Sequence, residues 1–365
     1  MLIIDLLIIF ALVAVGYGLD DYFNLTDLYI TPPVAGVVIG VGLNLLKYLL
    51  TGRMWLPQSF APKLLVTFFL FSIGVKIAIT YEKKHLMRLF NLFWITVLIM
   101  LMIDLIAIRV ADSSLSLFAL GSSSLAWNGV WLDFIKDLFP NLTAVKFYFH
   151  ASLWAVFIAA PVVLRLFTFF EREDTHQPQP PKISEWNYGV VLGSLGLALG
   201  AIFLRSTFLT RVPFLFSFII AMWLGIWVGF IIQKKEIDAV PLVTSIGEAG
   251  LLSLYGFIVA TLLKSAQVVV NNWNLNLVYL LLIKIFLITI FHIILARFLV
   301  RDHEDLVLMG ACWAFTLSAP ISCMNTMNSI VRYHGEADDA LLLVPPIVLW
   351  LINYAHYGAF LWLYT

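Results

Sequence analysis

Apolar runs of about 20 residues recur along almost the whole chain, and they restrict its fold more than any other feature. A helix of about that length crosses the hydrocarbon core of a bilayer. Hydrophobic residues make up 62% of the sequence and charged residues 12%, whereas a soluble domain is roughly half apolar and a quarter charged. We therefore predict an all-α polytopic membrane protein. Its ten predicted spans cover residues 2–18, 30–50, 61–80, 89–110, 143–169, 187–204, 212–232, 241–263, 276–299 and 340–363.

One polar, proline-rich segment divides these spans into two sets of five. Residues 171–185 are the only long stretch of this kind in the sequence, and we predict an exposed linker there. The linker separates an N-terminal repeat, residues 1–170, from a C-terminal repeat, residues 186–365. Because five is an odd number of crossings, the second set must enter the membrane in the opposite sense to the first. The sequence therefore predicts two inverted-topology repeats.

A recurring charge pattern supports the repeat. Asp104 and Arg109 lie five residues apart late in the fourth span, and His292 and Arg297 have the same spacing late in the ninth. Lys and Arg are found in nearly every loop, so the positive-inside rule does not decide the orientation in the membrane.

Each repeat contains a stretch of small and polar residues that interrupts the apolar pattern. These stretches are residues 113–138 and 306–335, and Pro320 breaks any helix through the second one. Interrupted backbone at membrane depth is tolerated where it lines a cavity enclosed by protein, and transporters keep their binding sites there. We predict two re-entrant hairpins whose tips approach each other near the midplane.

The tips of two such hairpins suit a small anion. A half-helix that begins inside the membrane directs unpaired N–H groups and a positive dipole end at the cavity, while hydroxyl groups and freed carbonyl groups hold a small cation. The alternative is that the small residues serve only close helix packing. The predicted substrate-binding residues are Gly121, Ser122, Ser123, Ser124, Asn128, Ser318, Pro320, Ser322 and Asn325.

Three further residues are candidates for coupling to a cation. Asp104 is a carboxylate in an apolar run, and such residues are functional hypotheses by default. The alternative for Asp104 is a structural pair with Lys284 or His292. Glu248 lies near the start of a span, where an interfacial location is the plainer interpretation. Thr316 offers a hydroxyl group close to the predicted second tip.

The sequence disfavours several other classes of function. Formal net charge is zero and no basic run is present, so nucleic acid is not an expected partner. Two cysteines are too few for a disulfide framework, and no Cys/His spacing resembles a metal site. We find no His-Glu-x-x-His, Gly-x-Ser-x-Gly or paired-Asp motif. We therefore expect neither an enzyme nor a cofactor, with Na+ as the only candidate metal ion.

The C-terminal segment resembles the bacterial sodium/glutamate symporter family or a divergent relative of it. That family carries an Ala-Thr-Pro-Thr-Ala turn, an Asn five residues after the proline, an Arg-Tyr-Gly, and a Leu-Ile-Val-Pro that enters the last span. The third and eighth spans of this chain also look like those of the family. The corresponding C-terminal elements here are Ser318-Ala319-Pro320-Ile321-Ser322, Asn325, Arg332-Tyr333 with Gly335, and Leu342-Leu343-Val344-Pro345.

The resemblance implies a secondary transporter of a glutamate-like amino acid or carboxylate in the bacterial inner membrane, coupled to Na+ or H+ and working by an elevator mechanism. The family's first hairpin carries a Gly-His-Gly, where this chain has Gly121-Ser122-Ser123-Ser124. The substrate and the coupling ion therefore stay open. The alternative function is a membrane sensor or scaffold subunit that retains a transporter fold.

The resemblance also implies a homodimer. Glycine-rich residues 32–42 and 189–200 allow close helix approach, either between protomers or within one protomer. We expect mass measurement in mild detergent and in nanodiscs to find two copies of the 41.2 kDa chain. A monodisperse monomer in both media would contradict the dimer.

Overall fold

The computed structural model of the chain is helical throughout the part that it describes. α-Helices and one short 3-10 helix account for nearly all of these residues, and no strand occurs among them. The all-α class is therefore confirmed. The structure describes residues 2–57, 60–80, 91, 94, 98, 142–170, 188–208, 215–234, 239–318, 320–335, 337, 340, 341 and 344.

Seven described helices are long and apolar enough to cross a membrane, and they confirm a polytopic membrane protein. They are α1 to α4 and α6 to α8, while α5 carries a shorter apolar stretch. The predicted spans 89–110 and 340–363 lie largely outside the described residues. The helices are α1 (Leu2–Phe23), α2 (Pro32–Thr51), α3 (Phe60–Thr80), α4 (Leu142–Thr168), α5 (Tyr188–Phe208), α6 (Leu215–Lys234), α7 (Ala239–Asn271), α8 (Leu275–Leu299), α9 (His303–Leu317) and α10 (Pro320–His334).

The described helices fall into two compact units that do not coincide with the two halves of the sequence. The first unit holds α1 as far as Leu19, then α2, α3, α5, α6 and α7 as far as Lys264. The second unit holds residues 20–31, α4, the end of α7, α8, α9 and α10. Each unit therefore draws on both halves, and the first takes the first three spans of each. The repeats 1–170 and 186–365 remain a prediction about internal symmetry.

In the first unit, α3 and α6 pack backbone against backbone through glycines. A Cβ added to Gly74 would lie 2.2 Å from the carbonyl oxygen of Met222, and one added to Gly225 would lie 2.1 Å from that of Phe71. No side chain fits between backbones at this separation, so glycine is required at both positions. Such close approach stabilises helix pairs in lipid, where van der Waals contact replaces the hydrophobic effect.

Glycines on α2 and α5 have different surroundings. A Cβ added to Gly36 of α2 would lie 2.0 Å from the carbonyl oxygen of Leu12 on α1. Part of the glycine-rich stretch 32–42 therefore packs within the protomer, which was the alternative to a dimer contact. On α5, an added Cβ would meet no described atom within 4 Å at Gly193, Gly196 or Gly200.

The second unit is built around α9, which is buried along almost its whole length. Trp313 is fully buried, and its indole N–H donates to the hydroxyl group of Thr289 on α8 at 3.0 Å. Side chains of α4, α8 and α10 complete this core, among them Phe167, Ile288 and Met327. Because α9 is central, His303 and Asp305 near its start and Thr316 near its end are buried inside the unit.

Gly225→Ala should destabilise the protein, because the new methyl group collides with the backbone of α3. Overpacking typically costs about 1–3 kcal/mol, so we expect a lower midpoint of thermal unfolding in mild detergent. Gly193→Ala is the matched control, since its methyl group meets no described atom within 4 Å and alanine favours a helix over glycine by roughly 1 kcal/mol. Equal midpoints for the two variants would contradict the tight α3–α6 packing.

Candidate binding site at the tip of the α9–α10 hairpin

The helix breaks between Leu317 and Pro320, as the sequence predicts. α9 ends at Leu317 and α10 begins at Pro320. Proline suits the first position of a helix because an N–H there would have no helical partner and because its φ angle is already helical. Ser318 caps α9, and its backbone N–H donates to the carbonyl group of Ala314 at 3.1 Å. The two helices are therefore separated by a break that begins at Ser318.

α9 and α10 form an antiparallel hairpin. A Cβ added to Gly310, in the middle of α9, would lie 2.6 Å from Ile330 Cδ1 and 3.4 Å from Thr326 Cγ2 of α10. Each helix has 15 residues, which is about 22 Å at 1.5 Å per residue. A full crossing of the hydrocarbon core needs about 20 residues, so neither arm is long enough. Whether the hairpin is re-entrant stays a prediction.

Polar contacts close the base of the hairpin, at the end opposite the tip. Asp302 caps α9 by accepting a hydrogen bond from the N–H of Asp305 at 3.0 Å. The Nε2–H of His303 donates to the carbonyl group of Gly335, just beyond α10, at 3.0 Å. The His303–Gly335 bond holds the start of α9 beside the end of α10 and fixes the base of the hairpin.

Buried hydroxyl groups lie at the tip and along the start of α10. Ser318, Ser322 and Thr326 are all 0% exposed, and the last two lie about one helical turn apart on the same face. Ser318 Oγ is 3.4 Å from the hydroxyl oxygen of Ser152 on α4. No described residue is a hydrogen-bond partner of Ser322 Oγ or Thr326 Oγ1. Burying a hydroxyl without a hydrogen-bond partner costs roughly 1–3 kcal/mol of folding free energy. Such a group in a folded protein therefore needs a structural or functional reason.

The backbone adds partial charges of both signs at the tip. The N–H groups in the first turn of α10 have no partner within that helix, and the positive end of its dipole lies there. The carbonyl groups in the last turn of α9 lie at the negative end of the other dipole. The first set favours anions and the second favours small cations. The hairpin brings both sets to one turn, because the end of α9 adjoins the start of α10.

Asn325 lies on α10 one to two turns from the tip and is 3% exposed. Its Oδ1 accepts a hydrogen bond from the hydroxyl group of Thr31 at 2.6 Å. The Nδ2 group makes no hydrogen bond to the part of the chain that the structure describes. Two amide donors remain for a ligand.

The candidates for ion coupling take different positions. Thr316 Oγ1 donates to the carbonyl group of Cys312 on its own helix at 2.7 Å, so this hydroxyl already has a partner. Glu248 is half-buried on α7, in the first compact unit, whereas the hairpin belongs to the second. Outside the described residues lie Asp104 and the residues predicted for the first tip, Gly121, Ser122, Ser123, Ser124 and Asn128.

The sequence interpretation misses three polar residues that the structure places here: Thr31, Ser152 and Thr326. Thr326 has a recognisable signal, because it lies four residues after Ser322 and therefore on the same helix face. Ser152 and Thr31 have none, since they lie 166 and 294 residues along the chain from their partners. Contacts between such distant residues depend on the tertiary fold.

Comparison with known proteins does not assign a family. No protein-family model matches the chain, and no curated protein is significantly similar to it in sequence. The resemblance to the sodium/glutamate symporters therefore stays a hypothesis, and the function has to be inferred from the residues at the hairpin.

Ser322→Ala should preserve or raise the unfolding midpoint of the ligand-free protein, because it removes a buried hydroxyl that has no described partner. Ser329→Ala is the matched comparison on the same helix. Ser329 is also buried, but its hydroxyl donates to the carbonyl group of Thr326 at 2.8 Å, and losing such a bond costs about 0.5–1.5 kcal/mol. Thermal unfolding in ligand-free buffer measures both. If Ser322→Ala lowers the unfolding midpoint more than Ser329→Ala does, Ser322 is a structural donor. That result would contradict its assignment to the site.

Proposed function

We propose that this protein is a secondary transporter of a small anionic solute, a glutamate-like amino acid or carboxylate, coupled to Na+ or H+. In this proposal it is not an enzyme and needs no cofactor besides the coupling ion. The observation that carries the proposal is the pair of fully buried hydroxyls, on Ser322 and Thr326, without partners among the described residues. Ser322 lies in the first turn of α10 and Thr326 about one turn further along, next to a helix break of the kind where transporters hold their substrates.

The anion binds at the start of α10. The N–H groups of the first helical turn and the hydroxyl of Ser322 donate to its oxygen atoms, and the amide of Asn325 adds two more donors. Hydrogen bonds to a charged group are roughly twice as strong as those between neutral groups. Burial of Ser322 and Asn325 limits competition from water.

The cation binds beside the anion. Carbonyl groups of the last turn of α9 and the hydroxyl of Ser318 present oxygen atoms there, and freed carbonyl groups coordinate Na+ in broken-helix sites. Opposite charges attract more strongly where the dielectric constant is low, so each ion offsets part of the desolvation cost of the other. By thermodynamic linkage, each then raises the affinity for the other by the same factor.

The first interrupted segment completes the site in this proposal. Residues 113–138 supply the first tip, and Gly121, the serines Ser122–Ser124 and Asn128 bind the solute there. Asp104 remains a candidate for coupling, because carboxylates in apolar runs bind cations or protons. Glu248 remains a second candidate.

The way in which the helices divide between the two compact units supports an elevator mechanism. The first unit takes the first three spans of each half, and the hairpin belongs to the second unit. We assign the first unit to the fixed scaffold and the second to the moving part that carries the solute. The assignment of a homodimer in the bacterial inner membrane rests on the resemblance to the sodium/glutamate symporter family.

A non-transporting sensor or scaffold subunit is the second candidate. The observation that favours it is the sequence Gly121-Ser122-Ser123-Ser124, which replaces the Gly-His-Gly of the family. A sensor would bind the anion at α10 without releasing it on the other side of the membrane. Binding and uptake therefore have to be measured separately.

The purified protein in liposomes should accumulate labelled L-glutamate, L-aspartate or succinate when an inward Na+ or proton gradient is imposed. Asn325→Ala should raise KM roughly 5- to 150-fold, because it removes two donors from a desolvated site. Asn328→Ala is the matched control. Asn328 is also buried on α10, but its amide donates to the carbonyl group of Met324 on its own helix at 3.1 Å, so KM should not change.

Three outcomes separate the possibilities. Gradient-driven uptake with the expected effect of Asn325→Ala supports the transporter. Binding of a probe without uptake selects the sensor. If no probe is bound or taken up, the proposed function is wrong.

A further inference from the structure

Residues 20–31, here called the strap, connect α1 to α2 but belong to the compact unit that contains the hairpin. The strap comprises the end of α1, the 3-10 helix Leu25–Leu28 and the residues that lead into α2. Three of its side chains form an ion pair or hydrogen bonds with α10, those of Asp20, Tyr29 and Thr31.

An ion pair fixes the first end of the strap. Asp20 is 5% exposed and pairs with Arg332, near the end of α10. The same carboxylate accepts hydrogen bonds from the N–H of Thr26 at 2.7 Å and from its hydroxyl group at 3.0 Å. A buried carboxylate needs such partners, because an unpaired charge away from water is very unfavourable. Asp20 therefore holds the turn of the strap and attaches it to α10.

Tyr29 fixes the second end in a strained conformation. Its φ angle of 56° lies in the left-handed region, which costs a bulky residue about 1–2 kcal/mol. Its side chain is buried, and its hydroxyl group is hydrogen-bonded to His334 Nε2 at 2.8 Å. Strain of this kind persists only where the surrounding structure holds it. The bonds of Tyr29 thus determine where the chain runs next, and Thr31 follows two residues later.

Thr31 meets the amide of Asn325. Thr31 is buried, and its hydroxyl group donates to Asn325 Oδ1 at 2.6 Å. In the orientation that the structure shows, the hydroxyl donates to the amide oxygen and holds the amide in place. In that orientation the NH2 group, with its two donors, is left for other partners. The reversed amide would offer its oxygen instead, and an oxygen atom repels an anion.

We infer that Thr31 is a positioning residue for the anion site at the hairpin. It acts through Asn325 and does not itself touch the solute, and the anchors of the strap at Asp20 and Tyr29 hold it in place. The inference rests on the proposed function, because it requires an anion at the start of α10. The loop between α1 and α2 thereby sets the affinity of a site that lies almost 300 residues further along the chain, since Thr31 and Asn325 are 294 residues apart.

The test measures uptake of labelled L-glutamate, L-aspartate and succinate into liposomes. It compares the uptake kinetics of Thr31→Val, Thr31→Ala and Thr31→Ser with those of the unaltered protein. Removing the hydroxyl in the Val and Ala variants should raise KM roughly 5- to 10-fold while the maximal rate stays the same. Thr31→Ser keeps the hydroxyl and should keep the original KM.

Thr67→Val is the matched control. Thr67 of α3 is fully buried, and its hydroxyl donates to the carbonyl group of Lys63 on its own helix, also at 2.6 Å. Its loss can lower stability as much as the loss of the Thr31 hydroxyl, but it should leave KM unchanged. A structural role of Thr31 would likewise reduce only the amount of active protein, and hence the maximal rate.

The outcomes distinguish the inference from the function on which it rests. If the unaltered protein transports a probe and KM is unchanged in Thr31→Val and Thr31→Ala, the inference is wrong and the proposed function stands. A raised KM in Thr31→Ser as well as in the other two variants also overturns it, because the hydroxyl would then not be the cause. No binding or uptake by the unaltered protein overturns the proposed function and the inference together.

Discussion

The broken backbone between α9 and α10 is the constraint on which the rest of the second unit depends. In an apolar environment, each unpaired N–H or carbonyl group at a helix end costs several kcal/mol. A helix break therefore has to lie inside protein, and here both Ser318 and Ser322 are fully buried. The core formed by α4, α8 and α10 encloses α9, and the His303–Gly335 hydrogen bond closes the far end. The hairpin is thus held at its base and enclosed at its tip.

The same burial makes the tip suitable for ligands. Donors of the first turn of α10 and acceptors of the last turn of α9 are already removed from water, so a ligand that pairs with them does not have to displace a full hydration shell from the protein. Ser322 and Thr326 add hydroxyls that no described residue satisfies. Asn325 differs from them, because Thr31 already engages its oxygen and orients its amide. In the proposed function this arrangement favours a charged solute over a neutral one, since charge-assisted hydrogen bonds are the stronger ones.

Local features of the fold follow from the sequence, and long-range ones do not. The spans follow from apolar length, and the break follows from Pro320, whose ring and missing N–H act on neighbouring residues. The glycines show the limit: Gly36 contacts α1, whereas Gly193 has no described atom beside it, and both lie in similar glycine-rich stretches. Sequence also did not reveal the Thr31–Asn325 bond, which depends on how the strap packs against α10. The residues predicted for the first tip lie outside the described part, so that half of the site stays a prediction.

The central claim is that the start of α10 faces a ligand pathway, and the accessibility of position 322 tests it most directly. Ser322→Cys would be made in a protein whose two buried free cysteines, Cys312 and Cys323, are replaced by alanine. The rate of reaction with a small membrane-impermeant thiol reagent would then be measured from each side of the membrane, with and without L-glutamate, L-aspartate or succinate. A transporter site predicts reaction from both sides and protection by the acid that is transported. If position 322 reacts from neither side, as expected of a permanently enclosed core residue, the account is contradicted.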